Sequence, residues 1–290
     1  MIDFQNVSFS YGEESSGGGI RNVNLTINTG EFVLLTGESG CGKTTITRLV
    51  NGLVPHYYEG NLGGDVLLDG KSVSDTPLYD LAAMVGSVFQ NPKSQFFNVD
   101  TDSELAFACE NLGYPQEDIL KRIDRTVSDY HIEDLMGRSV FALSGGEKQK
   151  IACASSSVLL PGIMVLDEPS SNLDMAAIDD LRQVLSLWKK QGKTILVAEH
   201  RLYYLHDLAD RVLYVKDGEI EREYTPAEFD SLSDGTRKEM GLRPFSLSKL
   251  KPANQYQAHT AKQMEFQNFC FAYKKREPES LHIPSAELPV

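Results

Sequence analysis

Hydrophobic residues follow two different patterns along the chain. Apolar and polar positions alternate in the first ten residues and again in NVNLTIN (22–28), which predicts antiparallel strands with one covered face. Three continuous apolar runs follow, FVLL (32–35), IMVL (163–166) and TILVA (194–198). Continuous runs are typical of parallel strands that helices cover on both faces. The pattern predicts an α/β fold with a doubly wound core and a small antiparallel β subdomain.

Helical patterns lie between the apolar runs. Residues 101–136 predict at least two helices in an insertion, and we place a helical subdomain at about 91–160. With the strands, these helices make up a first domain at residues 1–227. The polar stretch 228–263 has weak periodicity and predicts a terminal helix followed by a linker.

One octapeptide occurs twice. FQNVSFSY (4–11) returns as FQNFCFAY (266–273), and the alternating LHIPSAELPV follows the second copy much as IRNVNLTI follows the first. We therefore predict that residues 264–290 are the truncated start of a second domain like the first. Because two strands alone cannot bury their apolar face, we expect this segment to be disordered or to pair with a neighbouring sheet edge.

Charge and composition exclude several classes of function. The formal net charge of -13 argues against nucleic acid as a partner, since proteins that bind it neutralise phosphates with Lys and Arg. No apolar run approaches the roughly 18 residues of a membrane span, and the start of the chain lacks signal-peptide features. The four cysteines form no C-x-x-C pair, which predicts free thiols in a cytoplasmic protein.

A P-loop motif, GESGCGKTT, directly follows the FVLL run and precedes a helical pattern. In that context backbone amides surround the phosphates of a nucleotide, Lys43 reaches the β- and γ-phosphates, and the Thr44 hydroxyl binds Mg²⁺. Cys41 stands at a variable position of the motif, and we interpret it as incidental rather than redox-active. The predicted phosphate-binding residues are Gly37, Glu38, Ser39, Gly40, Cys41, Gly42, Lys43, Thr44 and Thr45.

Two carboxylates end the apolar run of IMVLDEP. Asp167 can hold Mg²⁺ through water, and Glu168 can take a proton from an attacking water. The alternative is an ordinary strand that ends in a solvated acidic turn, and the P-loop makes it the weaker interpretation. These two motifs alone also fit a small-molecule kinase.

The stretch LSGGE (143–147) contains a capping box, in which Ser144 and Glu147 satisfy the amides of a helix start. The box does not explain Gly145 and Gly146, because glycine in a first turn costs about 0.5 to 1 kcal/mol relative to alanine. Bare backbone at a helix N-terminus favours close approach of an anion. We therefore predict a phosphate-binding surface at Ser144, Gly145 and Gly146.

These motifs together resemble those of ABC-type ATPases, whose signature motif is similar to LSGGE. The match extends to Tyr11 as the adenine-stacking aromatic, Gln90 in VFQNP, SNLD after LDEPS, and His200 after the TILVA run. It covers nearly the whole of residues 1–225. The resemblance implies a P-loop NTPase core of the ABC type, with an antiparallel β subdomain and a helical subdomain that carries the signature.

The resemblance also implies roles for residues. ATP and Mg²⁺ are the implied cofactors, and Glu168 is the implied general base. The implied catalytic residues are Glu168, His200, Gln90 and Lys43. The implied Mg²⁺ ligands are Thr44, Gln90 and Asp167. Tyr11, the P-loop and the signature residues are the implied ATP-binding set. Many family members have glutamine where this chain has Glu147, and we expect little effect.

Partners follow from the same resemblance. In this family the signature of one nucleotide-binding domain caps the γ-phosphate held by the P-loop of another, so two domains enclose two ATP molecules. The implied partner is a second ABC nucleotide-binding domain, normally in the same polypeptide. It also implies transmembrane subunits that dock near the helices after Gln90, which places the chain at the cytoplasmic face of the cell membrane.

Within the ABC group, the stretches GLVPHYYEGNLGGDVLLDG, VFQNPKSQFF and VAEHRL look most like the ATPases of energy-coupling-factor importers, which carry vitamins or metal ions such as cobalt. A soluble ABC ATPase of translation or DNA repair is the alternative. Such proteins usually carry long coiled-coil insertions or basic arms, and the sequence shows neither. A metabolic P-loop kinase is disfavoured by the signature and by His200. The resemblance also implies that a separate membrane subunit binds the transported substrate.

Overall fold

The structure is a computed structural model that describes residues 1–12, 18–245, 263–272 and 281–289. The chain divides into two compact units, Met1–Ser248 and Lys249–Val290. The strands of the first unit are β1 (Ile2–Tyr11), β2 (Gly19–Ile27), β3 (Phe32–Thr36), β4 (Gly60–Leu68), β5 (Lys71–Ser72), β6 (Val85–Val88), β7 (Ile163–Asp167), β8 (Thr194–Ala198), β9 (Arg211–Lys216) and β10 (Glu219–Tyr224).

The helices of the first unit are α1 (Lys43–Val50), α2 (Leu53–His56), α3 (Leu78–Met84), α4 (Thr101–Asn111), α5 (Gln116–Tyr130), α6 (Gly145–Ser157), α7 (Met175–Lys190), α8 (Pro226–Ser231) and α9 (Asp234–Glu239). None of the helices among the described residues has the length and apolar character that a membrane span requires.

The central sheet has the strand order β10-β9-β3-β8-β7-β6, in which β9, β3, β8, β7 and β6 run parallel and β10 is antiparallel to β9. Every residue of β3 and β8 is buried, as expected for strands covered on both faces. The predicted doubly wound core is confirmed. Ala198 at the end of β8 pairs with Leu35 of β3 and with Asp167 of β7, so the three carboxyl ends meet at one edge.

A second sheet of the first unit is antiparallel, with the order β2-β1-β4-β5. Inward and outward residues of β1 alternate on either side of an irregularity at Gln5–Asn6, and Phe4, Val7 and Phe9 are at most 2% exposed. They join one hydrophobic cluster with Val33 of β3 and Ile46 of α1. The predicted antiparallel β subdomain is confirmed, and its apolar face packs on the P-loop side of the core.

The helical insertion packs on the other side of the core. Trp188 of α7 is fully buried and donates its indole N–H to the Tyr130 hydroxyl at the end of α5. Tyr130 in turn donates to the Ser157 hydroxyl of α6 at 2.5 Å. This chain of hydrogen bonds ties the inserted helix α5 to two helices of the core.

The terminal part of the first unit differs from the prediction that a single helix followed by a linker fills 228–263. Two short helices, α8 and α9, are present because each has its own cap. Thr225 forms a capping box with Glu228, the extended residue Leu232 then ends the first helix, and the Ser233 hydroxyl accepts from the Thr236 amide to start the second. The rest of the predicted linker, residues 246–262, lies outside the described residues.

The second unit contains β11 (Gln263–Phe271) and β12 (Leu281–Pro289), which pair antiparallel in a constant register. The expectation of a disordered or opportunistically paired segment was wrong for these residues. Cross-strand apolar pairs explain the hairpin, since Phe269 faces Ile283 and Phe271 faces Leu281. Tyr273, the last residue of the repeated octapeptide, lies outside the described residues.

Candidate functional site

The loop between β3 and α1 closes around the side chain of Lys43, which is only 4% exposed. The Lys43 ammonium donates to the carbonyl oxygens of Gly37 at 3.0 Å and Glu38 at 2.8 Å, and to the Cys41 sulfur at 3.6 Å. A positive charge is therefore held within the loop at the N-terminus of α1, where helix amides also favour an anion.

Two glycines of this loop have no room for a side chain. Gly37 has a φ of +150°, and a Cβ there would lie 2.1 Å from the Val215 carbonyl oxygen. Gly42 has a φ of +111°, and a Cβ there would lie 2.9 Å from a methyl carbon of Ile20. The loop packs directly on neighbouring backbone, so its shape depends on glycine at both positions.

Thr44 and Asp167 come together at the ends of α1 and β7. The Thr44 hydroxyl donates to Asp167 Oδ1 at 3.1 Å, and burial raises the pKa of the Asp167 carboxyl above its usual value. A hydroxyl and a carboxylate are hard oxygen ligands of the kind that Mg²⁺ prefers, and these two oxygens are close enough to share one cation. The donor set therefore fits the predicted metal.

Glu168 lies between the two other predicted catalytic side chains. Its Oε2 accepts from Gln90 Nε2 at 3.0 Å, and its Oε1 lies 3.3 Å from His200 Nε2. Glu168 has a left-handed backbone with a φ of +44°, a conformation that costs a non-glycine residue energy and that clusters at active sites. The structure thus brings Gln90, Glu168 and His200 into one contact group.

Histidine protonation in this group follows from its surroundings. Burial lowers the pKa of His200 first, the Lys43 ammonium lowers it further, and the carboxylates of Glu168 and Glu199 partly oppose both. The net effect places the pKa below the usual value for histidine. His200 is therefore neutral at pH 7, with one ring N–H able to donate.

Tyr11 lies beside the helix that follows the P-loop. Its hydroxyl accepts from Arg48 at 3.0 Å and lies 3.2 Å from the Thr45 hydroxyl. The Arg48 guanidinium also sits 4.0 Å from the ring centroid of Tyr58, whose ring lies edge-on to that of Tyr11. Sequence reasoning missed Arg48 and Tyr58, and only the aromatic pair in HYYE offered a signal.

The capping box at the start of α6 is present. The Ser144 hydroxyl accepts from the Glu147 amide at 3.3 Å, and Glu147 accepts from the Ser144 amide at 2.6 Å. Those hydrogen bonds, together with the Arg138 guanidinium at 3.0 Å, hold the pKa of Glu147 below its usual range. Glu147 thus has a local role in orienting the helix start.

The two signature glycines have different surroundings. A Cβ at Gly146 would lie 2.8 Å from the Cβ of Ala177, so packing of α6 against α7 already requires glycine there. A Cβ at Gly145 would lie 3.7 Å from the Asn172 carbonyl oxygen, which is ordinary contact. Packing within the chain therefore explains Gly146, and the sequence did not reveal this reason. Packing does not explain Gly145.

The signature residues do not join the P-loop group, which consists of Tyr11, Lys43, Thr44, Gln90, Asp167, Glu168 and His200. Ser144, Gly145 and Gly146 line a surface depression together with Asn172 and Asp174 of the SNLD stretch. Thr44, Gln90 and Asp167 line a separate groove. The predicted site residues therefore fall into two groups on the surface of one chain.

Comparison with known proteins decides the family. The profile of the ABC transporter family matches residues 20–171. The chain is 39% identical over 229 residues to a protein of Pyrococcus abyssi named as an ABC transporter ATP-binding protein, covering 79% of this chain and 81% of that protein. The chain belongs to the ABC transporter family.

A longer relative extends the comparison. A Treponema denticola protein, also named as an ABC transporter ATP-binding protein, is 46% identical over 251 residues, which cover 87% of this chain and 51% of that protein. The chain thus spans about half the length of this ABC relative.

Structural similarity agrees with the sequence comparison. The structure of cbiO1 from Clostridium perfringens, described as part of the ABC transporter complex cbiONQ, matches with a TM-score of 0.70 and 26% identity over 82% of this chain and 93% of that chain. A dimeric ATP-binding cassette bound to ADP and Pi matches with a TM-score of 0.67 and 26% identity over 78% and 99%. The predicted ABC family and the ABC-type fold are confirmed.

Proposed function

We propose that this ABC chain binds ATP with Mg²⁺, hydrolyses it, and energises an importer of the energy-coupling-factor type. The observation that carries the hydrolytic part is the contact group in which Gln90 and His200 hold the Glu168 carboxylate at 3.0 and 3.3 Å. A carboxylate held by two side chains just after β7, at the sheet edge that also carries the P-loop, is suited to orient and deprotonate a water.

Each residue of the P-loop group has a distinct task in this proposal. The Lys43 ammonium exchanges its hydrogen bonds to the loop carbonyls for bonds to the β- and γ-phosphates. Glu168 accepts a proton from the attacking water. The neutral ring of His200 keeps the Glu168 carboxylate oriented through Oε1. Tyr11 stacks on the adenine beside α1.

Thr44, Asp167 and Gln90 are the proposed ligands of Mg²⁺. When bound, the ion neutralises charge that develops on the transferred phosphoryl group. The hydrogen bond between Thr44 and Asp167 supports two of these ligands, whereas Gln90 Nε2 donates to Glu168. A role for Gln90 at the metal thus requires its amide oxygen, the atom that does not donate to Glu168.

A second ABC nucleotide-binding domain is the proposed partner for catalysis. The separation of Ser144–Gly146 from the P-loop group supports a composite site, because one chain cannot offer both surfaces to one phosphate. The match to a dimeric ATP-binding cassette points the same way. The chain alone should then bind ATP but turn it over poorly.

We further propose that residues 264–290 open such a second domain in the same polypeptide, after the first domain at 1–227 and the connecting segment 228–263. The repeated octapeptide supports this, and so does a shared backbone feature. Asn6 and Asn268, at equivalent positions of the repeat, both have left-handed backbones, with φ values of 51° and 47°.

The importer type rests on resemblance and on an exposed surface. The similarity to cbiO1 agrees with the energy-coupling-factor stretches noted in the sequence. Phe97 follows Gln90, is 76% exposed, and stacks on Phe107 of α4 at 4.9 Å between ring centroids. We propose that transmembrane subunits dock there, at the cytoplasmic face of the membrane, to import a vitamin or metal ion. A soluble ABC ATPase of translation or DNA repair remains the alternative.

Turnover by paired variants tests the hydrolytic assignment. With the second domain present, Glu168→Gln should bind MgATP as wild type does but lose roughly 10²- to 10⁴-fold in kcat. Lys43→Ala is the matched control and should weaken MgATP binding itself. Equal kcat values for wild type and Glu168→Gln would refute Glu168 as the general base.

Recovery of the transport complex tests the importer type. The full-length protein should co-purify with its membrane subunits, and mass spectrometry should identify a vitamin or metal ion bound to them. Recovery with ribosomes or DNA-repair proteins instead would favour the alternative.

A further inference from the structure

Glu199 directly precedes His200, and its side chain is only 1% exposed. The sequence motifs predicted no role for Glu199. A buried carboxylate is costly unless charge partners or hydrogen bonds compensate for its lost hydration. The donors that surround Glu199 therefore show what the residue holds together.

Both oxygens of Glu199 are fully engaged. Oε1 accepts from the backbone amides of His200 at 2.7 Å and Arg201 at 3.0 Å. Oε2 accepts from the backbone amide of Ser170 at 3.3 Å and from the Tyr204 hydroxyl at 2.9 Å. One oxygen thus binds the loop after β8, and the other reaches the loop after β7.

These two loops carry the proposed catalytic pair. Ser170 stands two residues after Glu168, and Glu199 stands one residue before His200. The loops are joined at their base, where the Glu168 amide donates to the Ala198 carbonyl oxygen at 2.8 Å. The contact of 3.3 Å between His200 and Glu168 spans the same gap further out.

We propose that Glu199 is a positioning residue that fixes the loop carrying His200 against the loop carrying Glu168. This inference rests on the proposed hydrolytic function, since it explains how the pair in that function is held. Glu199 adds a buried point of attachment between the loops, beside the hydrogen bond from the Arg201 guanidinium to the Leu173 carbonyl oxygen at 3.0 Å. It acts on the pair through the backbone amides that its carboxylate binds.

A carboxylate is required because two acceptor oxygens must face four donors. Glutamine has nearly the same shape but only one acceptor oxygen. In Glu199→Gln that oxygen can keep the His200 and Arg201 amides, while the NH₂ group faces the other two donors. The Tyr204 hydroxyl can rotate and accept from the NH₂, but the Ser170 amide cannot. The substitution therefore breaks the link to Ser170 selectively.

Hydrogen exchange of the chain without nucleotide tests the link directly. In Glu199→Gln the Ser170 amide should exchange about 10-fold faster than in wild type, as expected for loss of one hydrogen bond. The amides of the P-loop should exchange as in wild type. The control is Tyr204→Phe, which removes a donor to Glu199 without freeing the Ser170 amide, and which should leave Ser170 exchange unchanged.

Kinetics with the second domain present tests the consequence. Glu199→Gln should lower kcat roughly 10- to 100-fold through misplacement of the pair, while the Kd for MgATP stays within error of wild type and the melting temperature falls by only a few degrees. Tyr204→Phe should lower kcat much less.

Three results would overturn the proposal. Unchanged Ser170 exchange in Glu199→Gln would show that Glu199 does not hold the Ser170 loop. Unchanged kcat would show that this attachment does not position the catalytic pair. Parallel losses of kcat, MgATP affinity and melting temperature would make Glu199 a residue of the fold alone. Failure of the proposed function is distinct, because wild type itself would then bind MgATP without turnover, and the exchange experiment would still decide whether Glu199 holds the loops.

Discussion

The two copies of the repeated octapeptide form similar hairpins with different exposure. In the first copy, Phe9 of β1 is 2% exposed, whereas the equivalent Phe271 of β11 is 45% exposed. Both copies share a hydrogen bond from the glutamine to the acid two residues earlier, Gln5 to Asp3 at 2.8 Å and Gln267 to Glu265 at 2.7 Å. Local geometry thus repeats where burial does not.

The difference has a structural cause. β1 has β2 on one side and β4 on the other, and its apolar face packs on the core of the first unit. Within the described residues, β11 pairs with β12 alone. The register differs as well, since β1 shifts against β2 around Val7 while β11 keeps a constant register with β12. A short sequence determines the local backbone of the strand, as at Asn6 and Asn268, and the remaining strands and helices determine burial.

Truncation of the equivalent phenylalanines should give the largest contrast. Phe9→Ala should lower the free energy of unfolding of the first unit by about 3 to 5 kcal/mol, because it leaves a cavity in a packed core. Phe271→Ala should change it by less than about 0.5 kcal/mol, because Phe271 belongs to the second unit and its ring is already 45% exposed. Urea unfolding followed by fluorescence of the single tryptophan, Trp188, reports the first unit. Equal shifts would contradict the contrast in burial.

The left-handed asparagines should give an intermediate effect. Alanine tolerates that conformation poorly, so Asn6→Ala should cost about 1 kcal/mol, whereas Asn6→Gly should be close to neutral. Trp188 fluorescence in urea measures both variants. At Asn268 the glycine variant should again be more stable than the alanine variant. Slower amide exchange within β11 in the glycine variant would show this. An alanine variant as stable as the glycine variant at both positions would mean that the backbone there is not held left-handed.

The pH dependence of the stability that Asp3 contributes, next to the first copy of the octapeptide, should give the smallest effect. The hydrogen bond from Gln5, and then that from Thr26, holds the pKa of Asp3 below its usual value. A depressed carboxyl pKa stabilises the folded state above the unfolded pKa, and this contribution is lost as pH falls through the folded pKa. Gln5→Ala should therefore cost roughly 0.3 kcal/mol at pH 7 for so exposed a pair, and nothing at a pH below the folded pKa.

Urea unfolding midpoints of wild type and Gln5→Ala, measured at pH 7 and in acid, separate the contribution of the ionised Asp3 carboxylate from effects that do not depend on pH. Gln267→Ala is the matched control in the second copy and should leave the Trp188 transition unchanged at both values. A Gln5→Ala effect that is the same at pH 7 and in acid would not come from the Asp3 carboxylate.

Most of the core and of the P-loop group could be predicted because the signals are local. The buried strand β7 and its two carboxylates are contiguous in sequence, and the P-loop lies between a strand and a helix in one short stretch. The hydrogen bonds within the α6 capping box also involve residues three apart. In each case neighbouring residues contain the whole physical argument.

The rest depends on contacts between residues far apart in the sequence. Nothing near Glu199 indicates that its carboxylate would reach the Ser170 amide, 29 residues away. Arg48 meets Tyr11 across 37 residues. Such contacts exist only once the sheet has brought the strand ends together, so no periodicity or motif reveals them.

Gly146 has a consequence for how substitution data on this stretch should be interpreted. A scan of single variants would score Gly145 and Gly146 as equally intolerant if both met a partner's phosphate as proposed. Yet Gly146→Ala would also push against Ala177, at 2.8 Å, and misalign α6 on α7. An inactive Gly146 variant therefore does not separate loss of assembly from loss of folding. A Gly145 variant isolates the contact between domains, because a Cβ there would make only ordinary contact within the chain, 3.7 Å from the Asn172 carbonyl oxygen.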